Sequence, residues 1–104
     1  MQGVLEKRSI LQELSNRRQS LADFGVEKIG LFGSFVRGDA NSDSDIDLLV
    51  EMNNSHKTFR NFLALNYYLE EIFGRKVELV TKQSLSPYIG PHILTTVEYA
   101  SLAG

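Results

Sequence analysis

The sequence predicts a small α/β fold of the α+β-like kind, in which a mixed β-sheet of three to four strands carries packed helices. Two segments show the helical spacing of apolar side chains, and three short segments are rich in apolar and β-branched residues. At 104 residues, 42% apolar and 23% charged, the chain has the size and composition of one globular domain. We therefore treat residues 1–104 as a single domain.

The first half of the chain predicts a helix, a strand, a tight turn and a second strand. The helix is expected to end at Gly25, and its apolar stripe consists of Val4, Leu11, Leu14, Leu21 and Phe24. The segment VEKIGLF (26–32) predicts a strand before the Gly33-Ser34 turn, and SDIDLLVEM (44–52) predicts the next strand. Only about eleven residues join the two strands, which is short for a parallel crossover, so we expect antiparallel pairing.

The second half predicts a helix, a strand and a closing helix. A helical stripe that ends at Gly74 consists of Phe59, Phe62, Leu65, Leu69 and Ile72. The segment KVELVT (76–81) predicts a third strand because its side chains alternate in character. After Pro87 and Pro91, HILTTVEYASL (92–102) predicts the closing helix.

The composition argues against several classes of function. A net charge of −2 does not favour a general grip on nucleic acid, so no direct nucleic-acid binding is expected. The absence of cysteine excludes a disulfide framework and a thiolate metal site. No apolar run approaches the ~20 residues of a membrane span, and no signal-peptide pattern begins the chain. We expect a cytoplasmic protein that does not contact a membrane.

The turn after the first strand is typical of a phosphate-binding site. Backbone amides and the hydroxyl group of Ser34, at a turn that opens a short helix, would bind an anion. Arg37, about one helical turn later, would add a planar cation. The GSFVRGD segment is not a Walker P-loop, because Asp39 stands where that motif requires lysine.

Three carboxylates would lie beside this turn. Asp45 and Asp47 would project from one face of the second strand, because side chains alternate along a strand. Glu78 would join them if the third strand is a neighbour of the second. Carboxylates beside a phosphate site suit Mg²⁺, whereas an EF-hand is excluded by Leu48 and Asn54 at its glycine and glutamate positions.

The remaining polar residues are expected to have no role in the site. His56 and His92 have no partner at a metal-ligand spacing and are expected to be ordinary surface or core residues. Arg75 and Lys76 follow a predicted helix end, where cations are favoured by the helix dipole. Asp43, like Asp39, is expected to be a solvated loop acid.

The sequence resembles the nucleotidyltransferase superfamily of DNA polymerase β in one motif. In this motif, Gly33-Ser34 is followed after ten residues by Asp45-x-Asp47 and then by an apolar strand. The segments GSFVRG, SDIDLLV and VELVT are similar to its minimal members, the MntA-type antitoxins that are paired with HEPN-domain toxins. The resemblance runs from about residue 29 to residue 80. It implies a polymerase β-like nucleotidyltransferase fold, with ATP as co-substrate and Mg²⁺ as cofactor.

The resemblance also implies a role for each site residue. Gly33 and Ser34 would contact the outer phosphates of ATP, with support from Arg37. The catalytic and metal-binding residues would be Asp45, Asp47 and Glu78. Glu78 departs from the family pattern, which usually has aspartate there, and its extra methylene moves the oxygens by roughly 1.5 Å.

In the MntA-type family, the implied reaction is transfer of AMP from ATP to a tyrosine of the HEPN toxin, a ribonuclease that is thereby silenced. Two alternatives stay open. The chain could neutralise its toxin by binding alone, with Glu78 marking a decayed site, or it could be a subunit that modifies a small molecule. A homo-oligomer and a hetero-oligomer are both compatible with these functions.

Overall fold

A four-stranded mixed sheet lies at the centre of the fold, which a computed structural model describes for residues 5–103. In chain order, the elements are α1 (Lys7–Asn16), α2 (Arg18–Asp23), β1 (Val26–Phe32), α3 (Ser34–Arg37), β2 (Ile46–Met52), α4 (Phe59–Phe73), β3 (Val77–Thr81), α5 (Gly90–Thr96) and β4 (Glu98–Tyr99). Short 3₁₀ turns span Asn54–His56 and Lys82–Ser84.

The strand order in the sheet is β3-β2-β1-β4. Strands β1 and β2 pair antiparallel, as their short connection predicts, whereas β2 and β3 pair parallel through the crossover helix α4. The mixed sheet is therefore confirmed. In this register Asp47, near the start of β2, pairs with Phe32 of β1 on one side and with Glu78 of β3 on the other.

The two faces of the sheet are covered unequally. One face packs against α1, α2 and α4 and forms the main core, whose fully buried side chains include Ile10, Leu14, Leu21, Ile29, Leu31, Ile46, Leu48, Leu65 and Leu69. Side chains alternate along a strand, so Asp47 and Leu49 point to the opposite face. Helix α5 lies on that side, and its buried residue Ile93 does not belong to the main core.

The first helical segment is two helices rather than the single helix predicted. The helix is interrupted at Arg17 (φ −106°, ψ 22°), whose Nη1 donates a hydrogen bond of 3.3 Å to the hydroxyl of Tyr68. Gly25 ends the segment with φ +86°, as expected of a glycine just past a helix. Of the apolar stripe, Val4 lies outside the described residues.

The prediction of a closing helix over residues 92–102 is wrong in its second half. Helix α5 ends at Thr96, Val97 is extended, and β4 pairs with Gly30 and Leu31 at the edge of the sheet. A Cβ atom at Gly30 would lie 2.6 Å from Val97 Cγ2 and 3.0 Å from Tyr99 Cδ1. Packing against this glycine, with pairing to the free edge of β1, outweighs the helical pattern of the segment.

Helix α4 is well predicted by its sequence. The Thr58 side chain accepts a hydrogen bond from the backbone N–H of Asn61 at the N-terminus, and Gly74 adopts the left-handed conformation at the C-terminus. Leu65 and Leu69 are buried, but the predicted stripe residue Phe59 is 75% exposed.

Within residues 5–103, none of the helices combines the length and the apolar character needed to cross a membrane.

Candidate active site

The glycine-serine turn and Asp47 of the aspartate pair, which belong to separate motifs in the sequence, are in contact in the structure. Gly33 has φ +79° and ψ −148°, a conformation essentially confined to glycine. A Cβ atom at this position would overlap Asp47 Oδ2 and lie 3.0 Å from Asp47 Cγ. The lack of a side chain at Gly33 therefore allows the turn to approach the carboxylate.

Ser34 begins the short helix α3, as the sequence predicts. The Gly33 carbonyl accepts hydrogen bonds from the N–H groups of Val36 (3.1 Å) and Arg37 (3.0 Å), and Gly38 ends the helix in the left-handed conformation. The Arg37 side chain is 60% exposed, and its Nε lies 3.3 Å from Asp39 Oδ2. Arg37 is thus on the same turn as Ser34, with its guanidinium in solvent.

The three predicted carboxylates lie at or just before the N-terminal ends of two neighbouring strands. Asp47 and Glu78 are direct partners in the parallel register of β2 and β3. Asp45 lies just before β2 rather than in it, and the fully buried Ile46 separates it from Asp47. The predicted alternation of the two aspartates about a buried residue is therefore present, although the strand starts two residues later than expected.

The charges of these groups act on one another. The pKa of Asp47 is raised from its ordinary value of 3.8 to about 6, chiefly by burial and in addition by the nearby negative charges of Glu78 and Asp45. The positive charge of Arg37 opposes this shift. The site therefore disfavours the ionised form of Asp47 and would be stabilised by an added cation.

The chemistry of these side chains fits a divalent metal ion. Asp45, Asp47 and Glu78 provide the carboxylate oxygens that Mg²⁺ prefers, beside a turn that could hold phosphate. Across residues 5–103, no three acidic or histidine side chains already stand close enough together to hold a metal ion. Binding Mg²⁺ would therefore require a side-chain rotation, for which the exposed Glu78 has room.

A cavity of about 760 Å³ opens beside this group, which is within the usual size range of ligand pockets. Its lining includes Gly33, Arg37, Asp47 and Glu78. Its apolar wall is formed by Phe32, Val36, Val80, Ile89 and Ile93. The cavity lies between the open face of the sheet and α5, and it has room for a nucleotide or for part of an acceptor.

A second cavity, of about 640 Å³, lies at the N-terminus of α4 and is lined in part by Phe59, Phe62, Lys57 and Lys82. None of the predicted site residues lines it. We therefore locate the candidate active site in the cavity that contains Asp47.

Some cavity-lining residues, and the contacts of Arg75 near the site, are not predicted by the sequence. His92 lines the cavity from α5, and Ser84 and Ser86 line it from the connection after β3. Arg75 is not simply a helix-end cation, because its Nη1 donates hydrogen bonds to the carbonyls of Asn41 (3.0 Å) and Ser44 (2.8 Å). These placements depend on contacts between distant parts of the chain, which carry no local sequence signal.

Comparisons with known proteins agree with this geometry. The family model described as "Nucleotidyltransferase domain" matches residues 8–100. Protein adenylyltransferase MntA of Thermococcus cleftensis is 40% identical over 85 residues, which cover 82% of this chain and 85% of that protein.

Two solved structures are similar in fold. A proposed minimal nucleotidyltransferase aligns with a TM-score of 0.72 and 29% identity, over 93% of this chain and 98% of the other. A toxin–antitoxin complex with AMP-PNP contains a chain that aligns with a TM-score of 0.60 and 26% identity, over 86% of this chain and 73% of that one.

Proposed function

The chain belongs to the nucleotidyltransferase domain family, and we propose that it transfers AMP from ATP to a hydroxyl group of a partner protein. The observation that carries this proposal is the contact of the Gly33 turn with Asp47, which is the strand partner of Glu78, in the lining of a cavity. This contact supports the proposal because phosphoryl-group chemistry requires a phosphate-binding group beside carboxylates, and we assign the Gly33 turn to phosphate binding.

In the proposed reaction, the Gly33-Ser34 turn binds the outer phosphates of ATP and Arg37 neutralises part of their charge. Asp45, Asp47 and Glu78 are the residues that would hold Mg²⁺, which supplies Lewis-acid polarisation of the phosphate oxygens when bound. The acceptor oxygen forms a bond to the α-phosphorus, and the bond from that phosphorus to the bridging oxygen breaks. Pyrophosphate leaves, and we assign Glu78 to accept the proton of the hydroxyl group.

A protein acceptor is favoured by the shape of the site and by the relatives. The apolar wall of the cavity suits an aromatic ring such as that of tyrosine, beside the carboxylates. One relative is named a protein adenylyltransferase, and a structural neighbour belongs to a toxin–antitoxin complex with AMP-PNP. We propose that the partner is a HEPN-type toxin and that this chain is its antitoxin.

A second function, neutralisation by binding alone, is favoured by two observations. Glu78 replaces the usual aspartate, and among residues 5–103 the acidic side chains do not form a ready-made metal site. A chain with a decayed site would still cover its toxin. Asp47→Asn separates the two functions, because it would abolish transfer but leave a binding-only antitoxin fully active.

The test uses ATP labelled at the α-phosphate, Mg²⁺, and the product of the neighbouring gene as acceptor. We expect label on the partner with the wild-type chain and none with Asp47→Asn. Asp43→Asn is the matched control, since it removes the same charge from an exposed residue of the same segment. Toxin neutralisation without label, retained by Asp47→Asn, would establish the binding-only function instead.

A further inference from the structure

We propose that Arg75 is a positioning residue, which holds the loop that carries Asp45 against the helix that follows the Gly33-Ser34 turn. This inference rests on the proposed function for its kinetic consequence, but its structural part can be measured independently. Arg75 lies between α4 and β3, outside the cavity lining, and no site motif of the sequence includes it.

The first contact of Arg75 is with the loop between α3 and β2. Within this loop, the N–H of Asn41 donates to Ser44 Oγ (2.9 Å) and the N–H of Ser44 donates to the Asn41 carbonyl (3.1 Å), which makes a closed turn. Arg75 Nη1 donates to the carbonyls of both residues, at 3.0 Å and 2.8 Å. Because the Ser44 carbonyl belongs to the peptide bond that leads into Asp45, these bonds orient the backbone of Asp45.

The second contact of Arg75 is with helix α3. The Arg75 guanidinium carbon lies 5.4 Å from the centroid of the Phe35 ring, and Phe35 is only 6% exposed. Phe35 directly follows Ser34, so this cation–π contact fixes the guanidinium relative to the phosphate-binding turn.

The backbone around Arg75 completes the connection. Gly74, with φ +61°, ends α4, and the carbonyl of Lys76 accepts a hydrogen bond of 3.0 Å from the N–H of Ile46. Glu78 follows three residues after Arg75 on β3. Arg75 thus connects the loop before Asp45, the helix after Gly33 and the strand that carries Glu78.

Arginine has a chemical advantage over lysine at this position. A planar guanidinium can stack on an aromatic ring while its N–H groups bond to carbonyls in its plane, whereas an ammonium group cannot do both. The loop also carries acidic residues that repel one another, and Asp39 and Asp43 are exposed. Without Arg75, we expect the loop to open and Asp45 to lose its fixed position.

The test compares Arg75→Ala and Arg75→Lys with the wild-type chain, and Lys76→Ala is the matched control. Lys76→Ala removes a neighbouring exposed charge but keeps the backbone bond to Ile46. In hydrogen–deuterium exchange, both Arg75 variants should exchange the amides of residues 38–46 about tenfold faster or more, with α4 unchanged. Their kcat for AMP transfer should fall about 10- to 100-fold, with little change in KM for ATP, because displaced catalytic groups weaken chemistry more than binding.

The outcomes separate this inference from the proposed function. Unchanged exchange over residues 38–46 in Arg75→Ala, or an equal effect of Lys76→Ala, would overturn the role of Arg75. Full protection in Arg75→Lys would show that charge alone suffices, which also contradicts the proposal. If Arg75→Ala does not fold, Arg75→Lys decides. If the wild-type chain transfers no AMP, the proposed function fails, but the exchange result still decides whether Arg75 holds the loop.

Discussion

At the scale of single residues, Asp47 is the point where the sequence motifs meet. Its carboxylate occupies the space that a Cβ atom at Gly33 would need. Its strand partner is Glu78. Burial and the charges of Glu78 and Asp45 raise its pKa to about 6. In the folded chain without a cation, an ionised Asp47 is therefore a source of instability.

We predict that Asp47→Asn stabilises the folded chain at neutral pH. The folded-state pKa of about 6 exceeds the ordinary 3.8, so the folded chain binds this proton more tightly than the unfolded chain. The contribution of Asp47 to stability should therefore be greatest below about pH 4, fall as the pH rises to about 6, and change little above it. Because the half-buried carboxylate is partly screened by solvent, the asparagine variant should be more stable at pH 7 by about 1 to 2 kcal/mol and equal to wild type near pH 4.

Urea denaturation of both chains between about pH 4 and pH 7, without divalent metal, would measure this difference. Asp43→Asn is the control for the loss of one negative charge. If Asp47→Asn showed the same pH dependence as the wild-type chain, the carboxylate of Asp47 would not be the titrating group.

At the scale of elements, the parallel register of β2 and β3 is what joins Glu78 to the site. Because Glu78 raises the pKa of Asp47, Glu78→Gln should lower that pKa, as measured by NMR titration of the side-chain carboxyl. The same variant should reduce AMP transfer by about 10²- to 10⁴-fold if Glu78 is the general base. Glu78→Asp, which keeps the carboxylate and has the usual family residue, should retain or raise transfer.

Glu78→Gln that kept both the wild-type rate and the wild-type titration of Asp47 would remove Glu78 from the site. Loss of transfer in Glu78→Gln without a change in the pKa of Asp47 would instead indicate a role of Glu78 toward the substrate alone. The titration of Asp47 thus tests whether Glu78 lies close to it, and the rate of AMP transfer tests whether Glu78 takes part in the reaction.

The elements with strong local signals are those that the sequence predicts correctly. Strand β1 spans the predicted residues 26–32, and α4 ends at Gly74 as expected. The closing helix is wrong after Thr96, because its length is decided by the free edge of β1 and by the space beside Gly30. The break at Arg17 is also nonlocal, since this residue bonds to Tyr68 of α4.

The same distinction applies to the candidate site. Gly33 and Asp47 lie in one short segment, and the antiparallel pairing that its length predicts brings them together, with Phe32 opposite Asp47. The carbonyls that Arg75 contacts are 31 and 34 residues away in the sequence, so its role depends on how α4 and β3 pack. His92 reaches the cavity only because α5 lies over the open face of the sheet.

At the scale of the whole molecule, the main core and the candidate site lie on opposite faces of the sheet. The main core joins α1, α2 and α4 to one face, and the candidate site occupies the other face beside α5. Leu48 and Leu49 are adjacent residues of β2 and are both fully buried, but only Leu48 belongs to the main core. They form a matched pair that probes the two faces.

We predict different consequences for Leu48→Ala and Leu49→Ala. Leu48→Ala should destabilise the whole chain by about 2 to 5 kcal/mol, because it leaves a cavity in the main core. Leu49→Ala should cost less, because the site cavity already borders its face of the sheet and allows α5 to relax. Its effect should be local, with faster hydrogen exchange over residues 90–99 and a lower rate of AMP transfer. Urea denaturation and exchange measured on both variants would test this, and the same exchange pattern in both would show that the two faces form one cooperative unit.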